Sequence, residues 1–152
     1  MRKSNASAVW EKDLVHGRGT MKLGSGAFEG QYSYASRFEQ GKGTNPEELI
    51  GAAHAGCFSM ALAHILAQAG YEPKHLETSA EVTLDKVNEG FGITHIRLTT
   101  KVEAPRIDEK TLLKYAEDAK SNCPVSKALK NNVDIELQPS YRSHNRHPLR
   151  RS

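Results

Sequence analysis

Two cysteines, Cys57 and Cys123, are the residues of this chain best suited to nucleophilic or redox chemistry. The reactive form of a cysteine is the thiolate, so the question for each is what would ionise it. Cys123 stands before Pro124. A residue before proline avoids the α conformation, which predicts Cys123 as the N-cap of a short helix with Pro124 at its first position. A thiol there would face free backbone N–H groups and the positive end of the helix dipole, and both lower its pKa. Cys57 falls in the middle of a long helical stretch, where the dipole gives little help, and it needs a nearby cation. Neither histidine of the same helix is four residues from Cys57, but His54, three residues earlier, is within reach, whereas His64 is seven residues on. Arg37, just ahead of the loop leading into that helix, is the other candidate. Each residue also has a plain structural reading: inert buried thiols, packed histidines, an exposed arginine at a strand end. On these grounds Cys123 is the more activated thiol, and sequence separation does not choose between two inert cysteines and a redox pair.

The elements that must position these residues are legible from periodicity and capping signals. Ser4 to Glu11, Thr20 to Leu23 and Gln31 to Phe38 read as strands joined by glycine-containing turns at Gly17–Gly19 and Gly24–Gly26. A loop at Gln40–Gly43 leads to Asn45-Pro46-Glu47-Glu48, which starts a helix. Asn45 is the cap, Pro46 the first helical residue, and Glu48 is placed to reach back to the cap backbone. This helix should run to about Ala69, with Gly70 as its stop. It is apolar nearly all round, so it is expected to be buried, by sheet on one side and a helix or partner chain on the other. Gly51, Ala52, Ala53, Ala55 and Gly56 would let a second backbone approach closely. His75 to Val87 and Ile93 to Val102 alternate and form an antiparallel hairpin around Asn88–Gly92. Asp108 caps a helix to about Ser121 with Leu112, Leu113, Ala116 and Ala119 inward; a short helix from Cys123 and a strand at Val133, Ile135 and Leu137 follow. The fold class is α+β with antiparallel sheets packed around a long buried central helix.

Composition narrows the function classes. With 152 residues the chain fits one domain with a sizeable core. No apolar run approaches a membrane span and no secretory signal follows the basic start, which leaves the cytoplasm as the default location. The formal charge of +3 is misleading. Four arginines lie in residues 141–152, and the 21 basic residues less these four leave 17 against 18 acidic ones. Residues 1–140 are thus read as the domain, and 141–152 as a basic tail, either a disordered or vector-derived end or an arm for nucleic acid or membrane. The body has no basic face for nucleic acid. There is no C-x-x-C pair and no Cys/His cluster with zinc spacing, so neither metal nor bound cofactor is expected.

The stretch GTNPEELIGAAHAGCFSMAL, with the arginine of SRFE before it and CPVSKAL far downstream, resembles the OsmC branch of the OsmC/Ohr family of thiol peroxidases. AEVTLDKVNEGFGITHIRL and Trp10 fit as well, so the resemblance covers about residues 8 to 138. Gly56 stands where relatives often have alanine. The resemblance implies that Cys57 is the peroxidatic cysteine, which becomes a sulfenic acid, and that Cys123 resolves it into an intramolecular disulfide. It implies that Arg37 stabilises the thiolate and orients the peroxide, and that Glu47 pairs with Arg37. It further implies an intertwined homodimer with sites at the subunit interface, acting on organic hydroperoxides, and on hydrogen peroxide less well, in stress defence. A dithiol, such as that of a lipoylated protein, would be the reductant. Glu47 precedes Cys57 by ten residues, about 15 Å of helical rise. It can therefore act on Cys57 only through a long arginine or from the other chain of a dimer.

Two other classes stay open at this level. A general thiol–disulfide oxidoreductase is weakened by the missing C-x-x-C. A non-enzymatic stress-related binding protein, including a nucleic-acid binder using the tail, would have unreactive thiols.

Overall fold

The computed structural model describes residues 1–143 and forms two compact units, Met1–Leu49 and the chain from Ile50 onward. In the first unit, β1 (Ala6–Glu11), β2 (Arg18–Leu23) and β3 (Glu29–Tyr32) make an antiparallel sheet in that order. Gly19 is required at its centre. A Cβ there would lie 2.6 Å from the Trp10 ring and 2.7 Å from the Tyr32 ring, and those two rings pack 5.1 Å apart.

The third strand is shorter than the alternation of Gln31 to Phe38 predicts. Residues Tyr34–Phe38 form a helix instead, α1. The cause is local. Ser33 accepts from the Ser36 N–H at 3.2 Å, and Ser36 Oγ accepts from the Ser33 N–H at 2.9 Å, a reciprocal cap that offers the backbone an alternative to the ladder. Ser36 Oγ also donates to the Thr44 carbonyl at 2.7 Å, and Asn45 Nδ2 donates to the Ser36 carbonyl at 3.0 Å. The loop that follows is thereby tied to α1.

Helix α2 spans Pro46–Gln68. Asn45 Oδ1 accepts from the Glu48 N–H at 2.7 Å, as the capping signal predicts, and Gly70, at φ +92°, ends the helix. Glu48 does not reach back to the cap backbone; its carboxylate accepts from Thr44 Oγ1 at 2.7 Å. The helix is not buried all round in the single chain. His54, Phe58, Leu62 and Leu66, four residues apart, are buried, while Ala52, Ala53, Gly56 and Met60 are exposed. By length and composition α2 could also cross a membrane, contrary to the sequence expectation. Its buried apolar stripe, however, belongs to a water-soluble type of core with the sheet described next.

In the second unit β4 (His75–Val87) and β5 (Gly90–Ala104) form the expected hairpin, turning at Asn88-Glu89 with Asn88 at φ 57°. Ile96, Leu98, Thr100, Val102 and Ala104 face inward on β5, every second residue. Helix α3 (Glu109–Asn122) is capped by Asp108 Oδ1, which accepts from the Thr111 N–H at 2.7 Å. Its buried stripe is Leu112, Ala116 and Ala119; Leu113, expected inside, is exposed because it sits one step round the helix from Leu112. Helix α4 is Pro124–Leu129.

Strand β6 (Asp134–Ser143) then pairs with β5 in parallel, so this sheet is mixed rather than antiparallel. The two helices between β5 and β6 are the crossover that a parallel pair needs. β6 also runs through residues 141–143, the first part of the expected tail. It carries Pro139, which an edge strand tolerates. The rest of the proposed tail, 144–152, lies outside the described residues.

Phe58, Leu62, Leu66, Ile96, Leu98, Leu112 and Ala116 share one core. Leu62 is fully buried in it. Leu62→Ala should therefore cost about 2–5 kcal/mol in urea unfolding. A loss below about 1 kcal/mol would show that the stripe is not the centre of the core.

Candidate active site

The two thiols meet where α2 faces α4. The Cys123 thiol donates to the Cys57 sulfur at 2.8 Å. Cys123 is buried and Cys57 is partly accessible, and both are free thiols. Cys123 is the N-cap of α4, with Pro124 at the first position, as the sequence predicts. Its side chain, however, makes no capping hydrogen bond. The free N–H of α4 goes instead to Cys57, whose sulfur accepts from the Val125 backbone N–H. The helix start expected to activate Cys123 is aimed at its partner. Cys57 sits mid-helix on α2 but faces the start of another helix, so the help expected for Cys123 alone falls on Cys57.

Burial pushes the Cys57 thiol above its ordinary value; contact with the Cys123 sulfur adds to the shift, and the Val125 N–H works against it. Among the described residues no cation contributes. His54, one candidate for that role, is fully buried, and burial holds its pKa below the ordinary value of 6.5, so it is neutral at pH 7. Its Nε2 shares a 2.8 Å hydrogen bond with Ser126 Oγ, and its Nδ1 has no partner among the described residues. His64 is exposed on α2.

Arg37 and Glu47 meet in the first unit and within one chain. Arg37 Nε donates to Glu47 Oε1 at 3.1 Å and Nη2 donates to Oε2 at 2.7 Å. This is the two-pronged geometry that a planar guanidinium allows and an ammonium does not. Arg37 sits in the last turn of α1 rather than at a strand end, where a cation complements the helix dipole. Its guanidinium carbon also lies 5.5 Å from the centre of the Phe38 ring. Glu47 is 6% exposed in the first turn of α2, and without this partner its carboxylate would be buried unpaired.

Sequence reasoning missed Val125 and Ser126. Their signal was the run CPVSKAL itself: once Cys123 caps the helix, Val125 carries an early free N–H and Ser126 lies one turn on. Among the described residues, no group of three or more His, Cys, Asp or Glu side chains is arranged to hold a metal ion. The geometry suits a thiolate nucleophile with a second thiol in immediate reach, which is what reversible two-electron oxidation of a cysteine requires.

Comparison with known proteins gives one consistent result. A family model for OsmC-like proteins matches residues 39–138. The chain is 49% identical over 132 residues to Peroxiredoxin OsmC of Escherichia coli (strain K12), covering 86% of this chain and 92% of that protein. It is 33% identical over 97 residues to the organic hydroperoxide resistance protein OhrB of Bacillus subtilis (strain 168), covering 63% of this chain and 69% of that protein. Among solved structures it is similar in fold to an organic hydroperoxide resistance protein from Elizabethkingia anophelis. The TM-score is 0.76 at 23% identity, over 93% of this chain and 98% of that one.

The buried His54 makes stability depend on pH. The folded ring stays neutral below 6.5, whereas the unfolded ring takes up a proton. The contribution is therefore complete above about 6.5 and is lost as pH falls from there toward the lower folded value. Urea unfolding between about pH 7.5 and 5.5 should show a loss of up to about 1.4 kcal/mol per pH unit. His54→Gln should flatten that part of the slope. An identical slope in the variant would mean that His54 is not held neutral.

Proposed function

The chain belongs to the OsmC-like protein family, and from that premise we propose that it is a thiol peroxidase that reduces organic hydroperoxides, and hydrogen peroxide less well, to alcohols or water. The observation that carries this reading is the contact of Cys57 with Cys123 at 2.8 Å, with Cys57 the more accessible thiol. The Cys57 thiolate attacks one peroxide oxygen and the O–O bond breaks. The alkoxide leaves and takes up a proton, and Cys57 becomes a sulfenic acid. The Cys123 thiol then condenses with it, water leaves, and a Cys57–Cys123 disulfide forms. An external dithiol, such as that of a lipoylated protein, returns both sulfurs to thiols by exchange. No bound cofactor takes part in this scheme.

Burial raises the Cys57 pKa, so the reaction calls for a cation. Arg37 is the residue we assign to that role. Glu47 holds its guanidinium in one orientation, and the same group can hydrogen-bond the leaving oxygen as charge develops there. We also assign the protein to an intertwined homodimer with sites at the subunit interface, in the cytoplasm, where thiols are kept reduced. The exposed face of α2 with Ala52, Ala53, Gly56 and the 77%-exposed Met60 supports a second copy packing there.

Three measurements test this reading. Cys57→Ser should abolish consumption of cumene hydroperoxide, and Cys123→Ser should allow one oxidation without recycling by dihydrolipoamide; a Cys57→Ser protein turning over at the wild-type rate would overturn the proposal. Alkylation of reduced Cys57 should level off at a lower pH in the wild type than in Arg37→Met. In that variant the rate should keep rising about tenfold per pH unit through neutrality, because only the thiolate reacts. Superimposable profiles would remove Arg37 from the site. Sedimentation should show a dimer that Met60→Asp converts to monomer, and a monomeric wild type would rule out the homodimer.

A further inference from the structure

Two buried polar side chains have no part in the scheme above. His54 and Ser126 are 0% and 3% exposed, and they share one hydrogen bond of 2.8 Å between α2 and α4. His54 is one turn before Cys57 on α2. Ser126 is one turn after Cys123 on α4 and adjoins Val125, whose N–H bonds the Cys57 sulfur. The same two helices are thus joined twice, once through the sulfurs and once, a turn away, through this pair.

Helix α4 has six residues, too few to hold its shape or place without tertiary contacts. Val125 and Leu129 are only partly buried against the core. The His54–Ser126 bond is a directional contact that holds α4 to α2 beyond the sulfur contact. It is also hard to open: His54 Nδ1 has no partner among the described residues, and losing Ser126 would leave both ring nitrogens unsatisfied in the interior. The ring is held neutral by its burial, so it adds no charge beside the thiols.

We propose that His54 and Ser126 form a positioning pair for the resolving step, which keeps α4, and with it Cys123 and the Val125 N–H, against Cys57 while Cys57 is a sulfenic acid. This rests on the peroxidase reading. In that step the Cys57 S–O bond breaks and a Cys57–Cys123 S–S bond forms. The Cys123 proton and the hydroxyl leave as water. Each Cys57 sulfenic sulfur is reduced as the Cys123 sulfur is oxidised, with no further reagent. If α4 swings away, the sulfenic acid persists and a second hydroperoxide oxidises it to sulfinic acid.

The test uses Ser126→Ala, which retains helix propensity, His54→Leu, and His54→Gln, whose amide extends toward the position of Nε2. Cumene hydroperoxide is added to the full-length reduced proteins. Mass spectrometry follows the lifetime of the sulfenic acid and the sulfinic fraction, and alkylation of Cys57 is profiled against pH without peroxide. In Ser126→Ala and His54→Leu, disulfide formation should slow about tenfold, the sulfinic fraction should rise, and the alkylation profile should move to higher pH as the Val125 N–H is lost from Cys57. His54→Gln should restore the wild-type lifetime and profile. A purely packing role would lower stability without moving the profile of the folded protein. Folded Ser126→Ala with wild-type resolution and profile would overturn the inference alone. A wild type that forms no sulfenic acid would overturn the peroxidase reading and this inference with it.

Discussion

The contact between α2 and α4 is the constraint on which the thiol site depends. It sets a sulfur in the middle of one helix against the start of another, and neither helix could arrange this alone. The parallel pairing of β6 with β5 makes it possible. A parallel return needs a crossover, and here the crossover is α3 followed by α4. Leu112, Ala116 and Ala119 of α3 enter the same core as Phe58, Leu62 and Leu66 of α2. The chain between them and β6 must therefore pass α2, and it does so with Cys123 at its bend.

Buried polar groups follow a consistent logic in both units. Glu47 is charged and nearly inaccessible, and it has a two-pronged partner in Arg37. His54 is fully buried with no counter-charge among the described residues; it remains neutral, and its Nε2 is partnered by one hydroxyl. Ser59, also on α2, donates to Thr78 Oγ1 at 2.7 Å, which in turn shares a 2.9 Å hydrogen bond with the buried Thr100. His54 and Ser59 thus mark where α2 is tied to its neighbours, because an interior polar atom without a partner is costly.

Much of the local structure was legible because its causes are local. Asn45 and Asp108 cap as their side chains predict, Gly70 ends α2, and the alternation of Ile96, Leu98, Thr100 and Val102 matches the inward face of β5. The failures also have physical reasons. Gln31–Phe38 looked extended, but the Ser33–Ser36 cap competes with the ladder there. For α2, apolar nearly all round, the sequence predicts burial by sheet on one side and a helix or partner chain on the other; the single chain buries the His54–Phe58–Leu62–Leu66 stripe and leaves Ala52, Ala53, Gly56 and Met60 exposed. Strand direction for β6 could not be read, since alternation is the same in parallel and antiparallel pairs.

The sequence by itself determined where α2, α3 and α4 begin, which two cysteines could react, and, through a long family resemblance, what reaction to expect of them. Periodicity and capping act over a few residues, so a linear reading can resolve them. Only the tertiary structure decided that the α4 N–H serves Cys57 rather than Cys123, that His54 is neutral and bound to Ser126, and that Arg37 meets Glu47 within one chain. Each of these depends on which groups share a low-dielectric space, and the crossover that brings α4 to α2 is a property of the sheet, not of either helix.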